Sequence, residues 1–253
     1  MTSLSEHQAV EVFMPDGAPG STWALTCEHA SEDFFSPFAL PRQDDFVLGT
    51  HWAFDLGARD LTLELARRLH APAVLARFSR LLVDPNRPLT SETLFRGQAE
   101  GQTLALNDNL SDADRTVRLR SLYHPFHERV RTICSASSID TIFAIHTFTP
   151  VYEGNARALE IGVLWNREDE LGSALVEHLR ACGFRTEANE PYSGKDGLIY
   201  VAESHADALG KCALELEVRQ DLAVNADFRK TLIEALNAFA SRSRKFTPHA
   251  PPQ

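Results

Sequence analysis

The chain has 253 residues, 43% hydrophobic and 24% charged, enough apolar material for one large core and too much for a disordered chain. No apolar run approaches the roughly 20 residues that a membrane-spanning helix requires. The formal net charge of -10 provides no basic stripe to displace counterions from a nucleic-acid backbone, so neither nucleic acid nor a membrane is an expected partner.

Residues 10–14 and Trp23–Cys27 read as strands separated by the turn former Pro15-Asp16-Gly17. The polar start, with Glu6 and His7, lacks the basic and apolar zones of a signal peptide. Cys27, Cys134, Cys182 and Cys212 are too scattered for a disulfide framework or a C-x-x-C pair, and together these features predict a cytoplasmic protein. A helix is expected over 55–69, where Leu56, Leu61, Leu63, Leu65, Ala66 and Leu69 make an apolar face. A strand follows at 73–78.

Leu81-Leu82-Val83 then runs into Asp84-Pro85-Asn86-Arg87-Pro88, where two prolines end regular pairing and leave polar side chains on a loop. Residues 89–109 are irregular and read as a lid or a substrate-facing insertion. Ser111-Asp112-Ala113-Asp114 resembles a capping box opening a long helix over 111–133, which Pro125 should kink. Strands at 141–145 and 159–165, a helix at 168–181, a short strand at 185–188 and a loop at 189–197 come next. A strand at 214–219 and a helix at 227–240 precede a proline-rich tail, 246–253. The alternation predicts an α/β fold, with a mixed, mainly parallel sheet covered on both faces in three layers. Residues 1–245 are expected to form one domain.

Ligands of such sheets bind beyond the carboxyl ends of the strands. His29, Asn86, His146 and Glu217 all fall at or near predicted strand ends, so one crevice could collect them. Two imidazoles and a carboxylate can hold a zinc ion while leaving a position open for water. No G-x-S-x-G elbow, G-x-x-x-x-G-K-[ST] loop or G-x-G-x-x-G turn competes with that reading. Cys27 as a nucleophile beside His29 is the weaker alternative.

The chain resembles the N-formylglutamate amidohydrolases, a family grouped with zinc carboxypeptidases and aspartoacylases. The likeness is carried by Cys27-Glu28-His29-Ala30-Ser31, by His51-Trp52-Ala53-Phe54-Asp55-Leu56-Gly57-Ala58, and by the run from Ser79-Arg80 through Asp84-Pro85-Asn86-Arg87-Pro88. It continues in His124-Pro125-Phe126-His127, Ile145-His146-Thr147-Phe148-Thr149-Pro150, Asn189-Glu190-Pro191-Tyr192-Ser193-Gly194 and Leu216-Glu217-Val218-Arg219-Gln220-Asp221-Leu222. The resemblance implies a zinc-carboxypeptidase-like, phosphorylase/hydrolase-like fold. It implies a zinc-dependent amidohydrolase cleaving a small N-acylated acidic amino acid, such as the N-formylglutamate of histidine degradation.

On this resemblance His29 and His146 are two ligands of one zinc ion. The third ligand stays open: Glu32 supplies H-x-x-E spacing, His51 lies in the next segment, and Asp55 ranks behind them. Glu217 is implied as the group that takes a proton from the attacking water and gives it to the leaving amine. Glu215, two residues earlier on the same strand face, is expected to sit too deep to reach the metal. Arg80 is implied to polarise the substrate carbonyl, and Asn86 and Arg87 to clamp a substrate carboxylate through planar, paired hydrogen bonds. Tyr192, Ser193 and Arg219 are further candidates for substrate contact.

Each residue also has a bland use. The histidines could be hydrogen-bonded core residues, Glu32 a helix cap, His51 and Asp55 a helix-start pair, and Arg80, Asn86, Arg87 and Asp84 a structural turn. Glu217 and Arg219 could form an ion pair, and His124 and His127 pack a helix. A carboxypeptidase-like activity or another acyl-amino-acid deacylase is the enzymatic alternative. A non-catalytic metal- or ligand-binding protein on the same fold is the other.

Overall fold

The computed structural model describes residues 9–16, 20–152 and 154–242; Gly17 of the first predicted turn and the tail at 246–253 lie outside the described residues. In chain order the strands are β1 (Val10–Phe13), β2 (Trp23–Cys27), β3 (Ala73–Ala76), β4 (Gln98–Ala99), β5 (Gln102–Thr103) and β6 (Thr141–Phe148). Then come β7 (Val151–Tyr152), β8 (Asn155–Ala156), β9 (Ile161–Leu164), β10 (Thr186–Ala188) and β11 (Cys212–Arg219). The helices are α1 (Ala58–Leu69), α2 (Asp112–Arg118), α3 (His124–Cys134), α4 (Asp169–Ala181), α5 (Tyr200–Leu209), α6 (Gln220–Ala223) and α7 (Ala226–Ala240).

Seven strands make one sheet in the order β1-β3-β2-β6-β11-β9-β10. The central strands β3, β2, β6 and β11 run parallel, β1 pairs antiparallel with β3, and β9 pairs antiparallel with β11 and parallel with β10. The pairs β4–β5 and β7–β8 are small hairpins outside it. The sheet is thus α/β, mixed and mainly parallel, as expected.

Both sheet faces are covered. On one, Leu25, Phe143, Ile145, Leu214 and Leu216 pack with α1, α4 and α7 through residues such as Leu61, Leu65, Leu175 and Leu236. On the other, Ala24, Ile142, Ala144 and Ala213 pack with α3 and α5 through Phe126, Val130, Val201 and Ala206. Because side chains alternate along a strand, this second face continues from Ala24 to Thr26 and Glu28, from Ala144 to His146, and from Ala213 to Glu215 and Glu217. One face therefore changes from small and apolar to polar toward the carboxyl ends of β2, β6 and β11.

Helix α1 begins at Ala58 rather than at 55 because Gly57 has φ 82°, and a Cβ there would come within 2.8 Å of the Ala223 carbonyl carbon. Asp55 is left in the preceding turn, its carboxylate free of helix capping. The helix expected over 111–133 is interrupted: Leu119–Tyr123 form a π-turn between α2 and α3, with the His124 N–H donating to the Leu119 carbonyl. This wider turn precedes Pro125, which cannot supply a helical N–H of its own. Helix α5 was not expected from sequence. Its buried positions are Val201, Ala202, His205 and Ala206, a short stripe of mostly small residues with a histidine in it.

Candidate metal centre and active site

His146 is the register partner of Glu217, and both open onto the polar stretch of the sheet face. Each of the two sequence-predicted histidines is held at Nε2 by a carboxylate. His29 Nε2 donates to Asp84 Oδ1 at 2.8 Å, and His146 Nε2 donates to Glu28 Oε2 at 2.8 Å. Each Nδ1 then turns toward one oxygen: Asp55 Oδ2 lies 2.9 Å from His146 Nδ1 and 3.5 Å from His29 Nδ1. Carboxylates on the far nitrogens fix the ring orientations and make the near nitrogens better donors to a metal.

Asp55 is tied to both histidine segments. Its N–H donates to the His29 carbonyl at 2.9 Å, and Oδ2 accepts the Thr147 N–H at 3.2 Å. Asp84 is equally constrained, since Oδ1 also accepts the Asn86 N–H and Oδ2 accepts from Arg80 at 2.7 Å. Although burial opposes charge on Asp55 and Asp84, their cationic neighbours hold both carboxyls below the usual range, so they are ionised at neutral pH.

His29, Asp55 and His146 offer ligand atoms within 4.8 Å of one another, and His146, Glu215 and Glu217 form a second such group. The first set fits a divalent ion. His29 Nδ1 is buried without a hydrogen-bond partner, and the acids around His146 hold its imidazole well above its ordinary pKa against burial, which marks a place where positive charge is favoured. A proton on Nδ1 and a metal ion are alternative cations for that place.

A cavity of about 290 Å³ opens over this group. Its wall includes His29, Asp55 and His146, and also His51, Arg80, Asn86, Arg87, Tyr192 and Glu217. Glu217 Oε2 is buried with no hydrogen-bond partner, and burial, aided by Glu215 and Asp55, pushes its carboxyl well above the usual range. Such an acid can hold and release a proton. Glu215 also lines the cavity, but its Oε2 lies 3.6 Å from His146 Nε2, the nitrogen turned away from Asp55, so it is on the far side of the imidazole from the place that His29, Asp55 and His146 surround.

Three predicted residues lie elsewhere. Glu32 Oε2 accepts the Gly49 N–H and takes no part in either ligand group, because the chain turns away after His29. Ser193 caps the short turn Gly194–Asp196 by accepting the Lys195 N–H. The Arg219 guanidinium is spent on Asp221 and the Arg157 and Leu159 carbonyls. Asn86 lines the cavity, but its amide is engaged at both ends, Nδ2 donating to the Leu198 carbonyl and Oδ1 accepting the Val201 N–H. It anchors the start of α5. His51 lines the cavity with its ring 4.6 Å from Trp52, outside both ligand groups. Cys27 is buried and its thiol is pushed up to about 12 by burial, which removes the thiolate a nucleophile would need.

Glu28, Asp84 and Arg96 were not singled out from sequence as site residues. For Glu28 a signal existed, since it continues the Ala24–Thr26 face that leads to the site. Arg96, a cavity-wall residue from the irregular segment 89–109, had none.

Residues 21–224 match the family model described as N-formylglutamate amidohydrolase. No curated protein sequence matches the chain. Among solved structures, the gene product Atu2144 of Agrobacterium tumefaciens is similar at 32% identity, with 94% of this chain and 95% of that one covered and a TM-score of 0.83. An N-formylglutamate amidohydrolase from Ralstonia eutropha JMP134 shares the fold at 18% identity, covering 93% of this chain and 96% of that one, with a TM-score of 0.70.

Proposed function

The chain belongs to the N-formylglutamate amidohydrolase family, and from that premise we propose that it is a cytoplasmic zinc enzyme hydrolysing the amide of a small N-acylated acidic amino acid, formylglutamate first among them. The observation that supports this reading best is the meeting of His29 Nδ1, His146 Nδ1 and Asp55 Oδ2 on a cavity wall shared with Glu217. Asp55 becomes the third ligand in preference to Glu32 and His51. When bound there, zinc would polarise the amide carbonyl and acidify a water molecule.

The protein's own groups do the rest. Glu217 takes the proton of the attacking water and delivers it to the leaving nitrogen, a task its buried, unpartnered oxygen suits. Arg80 remains beside the reacting carbonyl, aligned by Asp84 and 3.7 Å from Asp55. Arg87, whose Nη1 donates to the Asn86 carbonyl, keeps its other N–H groups for a substrate carboxylate. Tyr192 closes the same wall.

Glu217→Gln tests the assignment. The variant should keep stoichiometric metal and lose about 100- to 10,000-fold in kcat on formylglutamate. Full activity would remove the proposed proton carrier, and stoichiometric metal with no turnover by the wild type would favour a binding protein.

A further inference from the structure

Of the three arginines on the cavity wall, Arg80 is neutralised by Asp84 and Asp55, whereas Arg87 and Arg96 form no ion pair among the described residues. Arg96 comes from the segment 89–109, which is firmly seated. Leu94 and Phe95 beside it are buried, and the Asn107 amide donates to both the Arg96 and the Leu81 carbonyls, at 2.7 and 2.9 Å. Arg118, buried, holds Asn107 Oδ1 in turn.

The guanidinium is oriented as well. Its Cζ lies 5.2 Å from the Trp52 ring, and the Trp52 indole N–H is fixed by Glu100 Oε1 at 2.7 Å. Burial and the neighbouring Arg80 and Arg87 hold Arg96 below its usual pKa despite the attraction of Asp84, the condition of a cation short of anions. A rigid, stacked, unpaired guanidinium facing a cavity is built for a planar oxyanion.

We infer that Arg96 is a specificity-determining residue: with Arg87 it forms a two-cation subsite for the two carboxylates of a dicarboxylic acylamino acid, Arg87 holding one and Arg96 the second. This rests on the hydrolase reading above for the position of the reacting amide, but the subsite itself requires only a dicarboxylate. Selection follows because a neutral amide in place of that carboxylate leaves Arg96 without its counter-charge.

The test compares wild type, Arg96→Gln and Arg96→Lys in two assays. Turnover is measured on N-formylglutamate and N-formylglutamine, and binding is measured by calorimetry with glutarate against butyrate. Wild type should prefer formylglutamate, and Arg96→Gln should reduce that preference by about 10- to 100-fold through KM, with Arg96→Lys restoring part of it. Glutarate binding should weaken by a similar factor in Arg96→Gln and butyrate binding much less. Turnover with an unchanged preference in Arg96→Gln would overturn the subsite and spare the hydrolase reading. No turnover by wild type, with glutarate binding still lost in Arg96→Gln, would sink the hydrolase reading and keep the subsite. Unchanged glutarate affinity in a folded Arg96→Gln protein overturns the subsite in either case.

Discussion

Asp84 uses both of its oxygens: one accepts from His29 and the Asn86 backbone, the other from Arg80. Asp84→Asn keeps the volume but must turn an NH₂ toward a donor, so the His29 ring loses its fixed orientation. Metal affinity should fall about 10- to 100-fold, read by competition with a chromogenic chelator. Unchanged affinity would mean that this carboxylate does not set the His29 ring. At this scale His29, His146 and Glu217 were legible, because His146 and Glu217 share one face at the carboxyl ends of β6 and β11 and His29 follows the carboxyl end of the neighbouring strand β2. Of the three third-ligand candidates the fold brings Asp55 beside both imidazoles, which sequence does not show, because the apolar helix pattern extends back to it and the positive φ at Gly57 is invisible in a hydrophobic pattern. Glu32 had attractive spacing, yet spacing cannot show that Gly49 returns 17 residues later to claim its carboxylate.

The element that positions Asp84 is the loop 84–88, fastened from one side by α3 and α5. Tyr123 OH donates to the Arg87 carbonyl, and His127 Nε2 donates to the Pro85 carbonyl at 3.0 Å. A carbonyl only accepts, so neutral His127 keeps its proton on Nε2, and Nδ1 accepts from His205 Nε2 at 3.0 Å. Protonating His127 would require His205 to move its own proton from Nε2 to Nδ1. Burial first, and His205 second, lower its pKa from 6.5 to about 4. The sign follows: the folded state binds this proton less readily than the unfolded chain, so the stability it contributes is complete above about pH 6.5 and is lost as pH falls toward 4. At most about 3 kcal/mol is involved. Urea unfolding at pH 7.5 and pH 5 should show a drop that is smaller in His127→Gln; an equal drop in both proteins would clear His127. The long elements here were readable from periodicity, whereas α5 was not, since a stripe of alanines with His205 among them carries little hydrophobic contrast. The π-turn before α3 was foreshadowed by Pro125, though not its form.

Across the whole molecule, folding gathers acids that an unfolded chain would keep apart. Glu28, Asp55, Asp84, Glu215 and Glu217 are all at most 5% exposed, from four separate segments, around two imidazoles and Arg80. Like charges at that density oppose folding, and burial, with Glu28 and Asp55 adding their repulsion, pushes Glu215 up to about 7. The parallel order β3-β2-β6-β11 imposes this convergence, so the sheet cannot form without assembling the cluster. A divalent cation that binds the folded chain alone should therefore stabilise it by mass action, about 2.7 kcal/mol at a hundredfold excess over Kd. For a chain of this length that corresponds to a rise of ~5 to 10 °C in Tm. Zinc titration followed by calorimetry should show the rise growing with the logarithm of free metal in wild type and largely disappearing in His29→Gln. If His29→Gln responds as strongly as wild type, the stabilising ion sits elsewhere, and the acids at the strand ends are balanced by the protein's own cations.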